Sequence, residues 1–92
     1  MTSDAITDNQ ARSRFELAVE GHVAFAAYTI DGDTITFTHT VVPPELEGRG
    51  IASRLIAHAL GEAKGRGLKV VPQCPFVAAY IEKHPQWQAL LA

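Results

Sequence analysis

The chain is poor in cysteine, in basic residues and in long hydrophobic runs. Its single cysteine, Cys74, excludes an intramolecular disulfide and leaves a cysteine-based zinc site without partners. The 8 basic and 10 acidic residues give a net charge of −2, whereas nucleic-acid binders usually carry a strong basic excess. We therefore expect no nucleic-acid partner. Because the histidines are not spaced as ligands, we also expect no metal.

Membrane and secretory features are equally scarce. No apolar run approaches the ~20 residues that cross a bilayer. The start, from Met1 to Asp4, lacks the basic and apolar regions of a secretory signal. We expect a cytoplasmic protein with no membrane partner. Hydrophobic residues make up 47% of the 92 residues, which is enough apolar material for the core of one domain.

The first half of the chain has the alternating pattern of β-strands. Residues 1–12 are polar and unpatterned, and we expect residues 1–13 to be a mobile tail that precedes a single domain of residues 14–92. From Arg14 onward, apolar and polar residues alternate. Glycine-containing turn signals separate three predicted strands, at about residues 14–19, 23–27 and 34–42. We expect them to form an antiparallel meander.

The third predicted strand carries a histidine among apolar residues. Strict alternation puts His39 on the same face as Phe37 and Val41. A histidine on an apolar face is usually a core residue, yet its ordinary pKa also suits a general base. Both interpretations stay open from the pattern alone.

The second half of the chain has the pattern of a helix, a strand and another helix. After Gly50 an apolar stripe with helical spacing runs to about residue 64, and a β-branched strand follows at residues 68–72. A second helix opens at Pro75, and a last turn sets Trp87 and Leu90 on the core. The predicted fold is α/β: a mixed sheet of the antiparallel meander and one parallel strand, joined by a βαβ crossover, with two main helices.

The loop between the third strand and the first helix carries the clearest chemical signal. Helix N-termini have unpaired N–H groups and a partial positive charge, which together bind phosphate. Gly48 and Gly50 let the backbone approach a phosphate without an intervening Cβ. A bare Gly-x-Gly is more often only a strand-to-helix turn, and this loop lacks the further residues of a P-loop or of a dinucleotide fingerprint.

Several motifs together resemble the GNAT superfamily of N-acetyltransferases. Its acyl-CoA loop is similar to Glu45-Leu-Glu-Gly-Arg-Gly-Ile-Ala-Ser-Arg-Leu. The likeness extends to Phe37-Thr-His-Thr, Val71-Pro-Gln-Cys-Pro-Phe-Val and Tyr80-Ile-Glu-Lys-His-Pro. In this order the motifs resemble the short, single-domain acetyltransferase-like subfamily, over about residues 15–87. The superfamily has Gln or Arg at the position of Glu45. This difference affects any role of the side chain at that position, but it does not affect the contacts that the backbone makes.

The resemblance implies that acetyl-CoA is the acyl donor and that the loop backbone holds its pyrophosphate. The pantetheine arm would lie between the strand that ends at Val42 and the strand that ends at Gln73. Arg49 and Arg54 would add positive charge at the rim. The residues implied in cofactor binding are Val42, Leu46, Glu47, Gly48, Arg49, Gly50, Ile51 and Ala52.

Two residues are the catalytic candidates that the resemblance supports. Cys74 would lie near the thioester, either as a nucleophile that forms an acetyl-cysteine or as a wall beside a direct transfer; without the resemblance it would be a small buried hydrophobe. His39 would act as general base toward the attacking amine. Tyr80 is a further candidate, as general acid toward the leaving thiolate, although its helix suits core packing equally well.

The function implied is therefore acetyl transfer from acetyl-CoA to an amine. No acidic or aromatic cluster indicates which amine, and no feature indicates an oligomeric state. The alternative is a non-catalytic acyl-CoA-binding or interaction module, because larger superfamily members build the acceptor pocket from N-terminal helices that this chain does not show. A phosphate-binding domain for ordinary nucleotides is a third interpretation, which the likeness around Cys74 disfavours.

Overall fold

A computed structural model of the protein describes residues 6–92 and contains one five-stranded sheet. Strand order follows the chain, and neighbouring strands are antiparallel except for the last pair, which is parallel. The strands are β1 (Ile6–Asn9), β2 (Arg14–Val19), β3 (His22–Asp31), β4 (Thr34–Val41) and β5 (Lys69–Pro72). The helices are α1 (Ile51–Gly65) and α2 (Pro75–Lys83), with short 3-10 helices at Gln10–Arg12, Pro44–Leu46 and Pro85–Leu90. The predicted mixed sheet with a helical crossover is confirmed.

Two glycine turns determine the path of the meander. Gly21 and Gly32 have φ angles of 82° and 63°, in the left-handed region where a Cβ is disfavoured. The first turn joins β2 to β3 and the second joins β3 to β4. Both hairpins lie where the turn signals predict them.

The N-terminal prediction is wrong for residues 6–12. Ile6–Asn9 form β1, which pairs with β2 from Ile6 opposite Leu17 to Asn9 opposite Arg14. Asp8 stabilises the position of this strand, because its carboxylate accepts hydrogen bonds from the Tyr28 hydroxyl (2.6 Å) and from the Arg66 guanidinium (3.1 Å). The sheet therefore begins before the predicted domain start at residue 14. The rest of the predicted tail, residues 1–5, lies outside the described residues.

Helix α1 connects β4 to β5 as the crossover prediction requires. It follows Gly50, and after its end Gly67 turns the chain toward β5 with a φ of 70°. Neither α1 nor another helix within residues 6–92 is long and apolar enough to cross a membrane. The buried side chains of α1 are the predicted stripe, namely Ile51, Leu55, Ile56, Ala59, Leu60 and Ala63.

The hydrophobic core lies between one face of the sheet and the two helices. Three strands contribute fully buried residues to this face, namely Phe15, Phe37 and Val70. Helix α2 contributes the buried residues Val77 and Ile81. Trp87 and Leu90 pack against the core from the C-terminal 3-10 helix, as predicted. The opposite face of the sheet is exposed to solvent at Val23 (43%) and Val41 (41%).

A β-bulge in β4 overturns the predicted facing of His39. Tyr28 on β3 lies opposite Phe37, whereas the preceding Ala27 lies opposite His39, so Thr38 is an extra residue without a counterpart. Its hydroxyl instead donates to the Ala27 carbonyl at 3.4 Å. An extra residue reverses the alternation, so His39 points away from the face of Phe37 and is exposed.

Candidate active site

The two parallel strands separate at their C-terminal ends. Their pairing runs from Thr34 opposite Lys69 to Phe37 opposite Pro72. The last hydrogen bond between the two backbones at the fork is donated by the Cys74 N–H to the Phe37 carbonyl at 2.8 Å. Beyond it β4 continues to Val41, and this part of β4 has no register partner on β5. A wedge-shaped opening results, with a free backbone edge of β4 on one side and Cys74 on the other.

The glycine loop leads from this opening to the start of α1. Leu46 is fully buried and anchors the loop in the core. Gly48 and Gly50 have φ angles of 83° and 70°, which favour glycine, and a Cβ at either position would meet no atom within 4 Å. The glycines are therefore required by backbone conformation, and the space in front of them is open.

A cavity of about 210 Å³ lies over this loop. It brings together seven of the eight residues expected to bind the cofactor, all except Arg49. The guanidinium of Arg49 instead forms an ion pair with Glu20 of the β2–β3 turn at 3.0 Å. Glu45 does not line the cavity either, and its carboxylate lies 3.9 Å from Nδ1 of His22. The lining residues are Val42, Leu46, Glu47, Gly48, Gly50, Ile51, Ala52, Ser53 and Phe76.

The N-terminus of α1 presents N–H groups to this cavity. The residue before the helix is Gly50, and no side chain within residues 6–92 caps the helix there. The first intrahelical bond is donated by the Arg54 N–H to the Gly50 carbonyl at 3.1 Å. The N–H groups of Ile51, Ala52 and Ser53 thus precede the helical ladder. Together with the helix dipole they form a site suited to an anion, and the residues present fit a pyrophosphate.

The Cys74 thiol lies at the fork, at the N-terminal end of α2. It is 4% exposed, and its Sγ lies 3.5 Å from the Thr40 hydroxyl on β4. Burial raises the pKa of Cys74, but hydrogen bonds from the Thr40 hydroxyl and from the backbone N–H groups of Val77 and Phe76 outweigh it. The pKa of the thiol is therefore lowered from its ordinary value, and a larger thiolate fraction follows.

His39 lies across β4 from Cys74. Because Thr40 faces the thiol, the adjacent His39 projects from the opposite face of the strand. Its Nδ1 is 3.2 Å from the Thr38 hydroxyl, and its ring is edge-on to Phe25 with centroids 6.0 Å apart. The two catalytic candidates thus flank the same opening from opposite sides of the sheet and do not form a Cys–His pair.

The other histidines are spread over the molecule. His58 lies 3.9 Å from Glu62 on α1, and His84 stacks on Tyr80 with ring centroids 4.0 Å apart. Within residues 6–92, no three His, Cys, Asp or Glu side chains come together as a metal site.

Three further residues of the site lie within the motifs quoted from the sequence, but the sequence alone assigns them no role. Thr40 is 34 positions from Cys74, and only the crossover brings their side chains together. Ser53 and Phe76 line the loop cavity from α1 and α2. Phe76 directly follows Cys74-Pro75, and its 40% exposure, which marks it as part of the site, is visible only in the structure.

Comparisons with known proteins concern the family and the fold. The sequence model of the GCN5-related N-acetyl-transferase family matches residues 14–90. The NMR solution structure of a GCN5-like proposed N-acetyltransferase from Staphylococcus aureus is similar to the chain, with a TM-score of 0.78 and 24% identity. That likeness covers 100% of this chain and 91% of the other, and at this identity it concerns the fold alone. No curated protein matches the sequence.

Proposed function

The chain belongs to the GCN5-related N-acetyltransferase family, and from that premise we propose that it binds acetyl-CoA and transfers the acetyl group to an amine. The observation that carries the proposal is the uncapped N-terminus of α1, which opens on a cavity beside the fork of β4 and β5. An anion site next to a fork that ends at a thiol suits a donor with a phosphate at one end and a thioester at the other.

Each part of the donor has a counterpart in the chain. The pyrophosphate accepts hydrogen bonds from backbone N–H groups at Ile51 and Ala52 and along the glycine loop. The pantetheine amides pair with the free backbone edge of β4, which ends at Val41. The thioester then lies in the fork, between Cys74 and His39. A backbone N–H near Val42 stabilises the oxyanion that forms on its carbonyl.

In a direct transfer, the amine nitrogen attacks the thioester carbonyl. A carbon–nitrogen bond forms, the carbon–sulfur bond breaks, and CoA leaves as a thiolate. His39 accepts the proton that the amine loses, from the exposed face of the sheet. Cys74 then acts as a wall that keeps water from the thioester.

In a two-step transfer, the Cys74 thiolate attacks first. The acetyl group moves to Sγ while CoA leaves as a thiolate, and the amine then attacks the acetyl-cysteine and regenerates Cys74. The lowered pKa of Cys74 supports this route, whereas its burial supports the direct one.

Release of free CoA in the presence of candidate amines tests the function. We expect amine-dependent release by the native protein. Intact-mass measurement after incubation with acetyl-CoA alone separates the routes: an adduct of one acetyl group that disappears in Cys74→Ala supports the two-step transfer. An adduct that persists in Cys74→Ala would eliminate Cys74 as the nucleophile.

The second candidate function is an acyl-CoA-binding module without catalysis. The exposure of His39 and Val41 favours this second function, because residues 6–92 form no wall on that face of the sheet that could hold an acceptor amine. Saturable acetyl-CoA binding without CoA release from any amine would support this alternative. Displacement of acetyl-CoA by ATP at similar concentrations would instead indicate a general nucleotide site. The cytoplasmic setting stays a prediction.

A further inference from the structure

The β-bulge in β4 brings a hydroxyl group next to the His39 ring. Thr38 is the extra residue of the bulge and has no counterpart on β3. Its hydroxyl oxygen lies 3.4 Å from the Ala27 carbonyl oxygen and 3.2 Å from Nδ1 of His39. One hydroxyl group thus joins a backbone carbonyl to an imidazole nitrogen.

The carbonyl determines the direction of both hydrogen bonds. Because the Ala27 carbonyl can only accept, the Thr38 hydroxyl donates its single proton to it. The same oxygen then accepts from the His39 ring, which places the proton of the neutral imidazole on Nδ1. In this tautomer Nε2 carries the lone pair. His39 is exposed and Nε2 makes no hydrogen bond to residues 6–92, so the lone pair is open to a substrate.

Phe25 limits the rotation of the same imidazole. The Phe25 and His39 rings are edge-on, with an angle of 77° between their planes and centroids 6.0 Å apart. Phe25 is itself held by Arg14, whose guanidinium carbon lies 4.2 Å from the ring centroid. Nε of Arg14 in turn donates to the Glu16 carboxylate at 2.6 Å. The His39 ring therefore has a defined position as well as a defined proton.

We propose that Thr38 is a positioning residue that holds His39 as the Nδ1–H tautomer and so keeps Nε2 available as the base. The inference rests on the proposed function, in which His39 takes the proton of the amine. When Nε2 accepts that proton, the imidazolium retains its Nδ1–H bond to Thr38, so the contact persists through the transfer. In the opposite tautomer the lone pair is on Nδ1, which faces Thr38 and not the substrate.

Nitrogen NMR of the histidine imidazoles tests the inference, because protonated and unprotonated ring nitrogens differ widely in chemical shift. At about pH 8, where an ordinary histidine is neutral, we expect native His39 to show Nδ1–H. Its signals are assigned by their loss in His39→Gln. The free histidine side chain favours Nε2–H, and Thr38→Val should return His39 to that state. Thr38→Ser keeps the hydroxyl and should keep Nδ1–H.

The kinetic expectation is a lower kcat with an unchanged KM for acetyl-CoA. Thr38→Val should lower kcat about three- to tenfold, the effect of one hydrogen bond, and Thr38→Ser should restore most of the loss. Thr36→Val is the matched control, because Thr36 lies on the same strand and makes no hydrogen bond to His39. It should keep both the native tautomer and the native kcat. A loss of packing alone would not exchange the tautomer.

Two results would overturn the inference, and both are read from the folded protein without substrate. One is Nε2–H in native His39. The other is the native tautomer retained in Thr38→Val. If native His39 shows Nδ1–H but the protein releases no CoA with any amine, the proposed function fails while the contact between Thr38 and His39 stands. The two failures are therefore distinguishable.

Discussion

At the residue scale, the Thr40 hydroxyl is the contact that joins the free edge of β4 to the Cys74 thiol. Burial alone would raise the pKa of Cys74, and the hydrogen bond from Thr40 is the largest of the opposing effects. Thr40→Val keeps the side-chain shape and removes the donor. We therefore expect the pKa of Cys74 to rise, as measured by thiolate absorbance during a pH titration.

Thr36→Val is the matched control for Thr40→Val, because Thr36 lies on the same strand and has no contact with the thiol. It should leave the Cys74 titration unchanged. An unchanged titration in Thr40→Val would show that the backbone N–H groups of α2 alone lower the pKa.

The raised pKa of Tyr28 predicts a loss of stability at alkaline pH. Burial and the hydrogen bond to Asp8 raise the pKa of Tyr28 to about 12, whereas an unfolded tyrosine has a pKa of about 10. The unfolded state loses its proton first, so stability is intact below pH 10 and falls as pH rises toward 12, by about 2–3 kcal/mol. Urea unfolding at several pH values should show this decline in the native protein and a smaller one in Tyr28→Phe. Equal declines would contradict the assignment.

The sequence predicts some site residues and misses others for physical reasons. Gly48 and Gly50 are predictable because a loop between a strand and a helix needs their backbone freedom. The facing of His39 is not predictable, because alternation assumes a regular strand and the bulge at Thr38 has no signature in residue type. Thr40 is missed because its role depends on a contact made only in the folded chain.

At the element scale, the Asp8 carboxylate holds β1 to the sheet more than the apolar residues of the strand do. Ile6 is its only large apolar residue, so no alternating pattern predicts the strand. Asp8 instead links it to Tyr28 on β3 and to Arg66 just after α1. A strand stabilised by such remote partners is visible only once the fold is known.

Asp8→Ala should therefore lower the free energy of unfolding by about 1–3 kcal/mol, since it leaves the Tyr28 hydroxyl without its acceptor. Denaturant unfolding followed by circular dichroism measures the change. Thr7→Ala, at an exposed position of the same strand, should change stability by less than about 0.5 kcal/mol. Equal effects of the two substitutions would show that β1 is held by backbone pairing alone.

At the scale of the whole molecule, the sheet separates the two catalytic candidates. The helices cover the face of Cys74 and leave the face of His39 exposed, so an acceptor amine reaches the thioester from the exposed side. The order of strands and helices is predictable from periodicity. This division of the site between two faces is not, because it depends on the bulge.

His39→Gln should lower kcat by about 100-fold or more if His39 is the general base, and should leave the KM for acetyl-CoA nearly unchanged. The physical reason is that His39 lies outside the cavity over the glycine loop. A pH–rate profile checks the role: a general base must be unprotonated to act, so the acidic limb of the native profile should change in the variant. His58→Gln, on the flank of α1, is the control and should keep the native profile. An unaltered profile in His39→Gln would remove His39 from the mechanism.

The proposed function requires the glycine loop and the N-terminus of α1 to hold the phosphates of acetyl-CoA. Calorimetric titration with acetyl-CoA tests it most directly, using the native protein, Gly48→Asp and Gly32→Asp. Both variants add the same charge at a glycine with positive φ, and only Gly48 lines the cavity. We expect saturable binding by the native protein and by Gly32→Asp, and loss of binding in folded Gly48→Asp. Absence of binding by the native protein, or equal binding by all three, would show that the loop does not hold the phosphates.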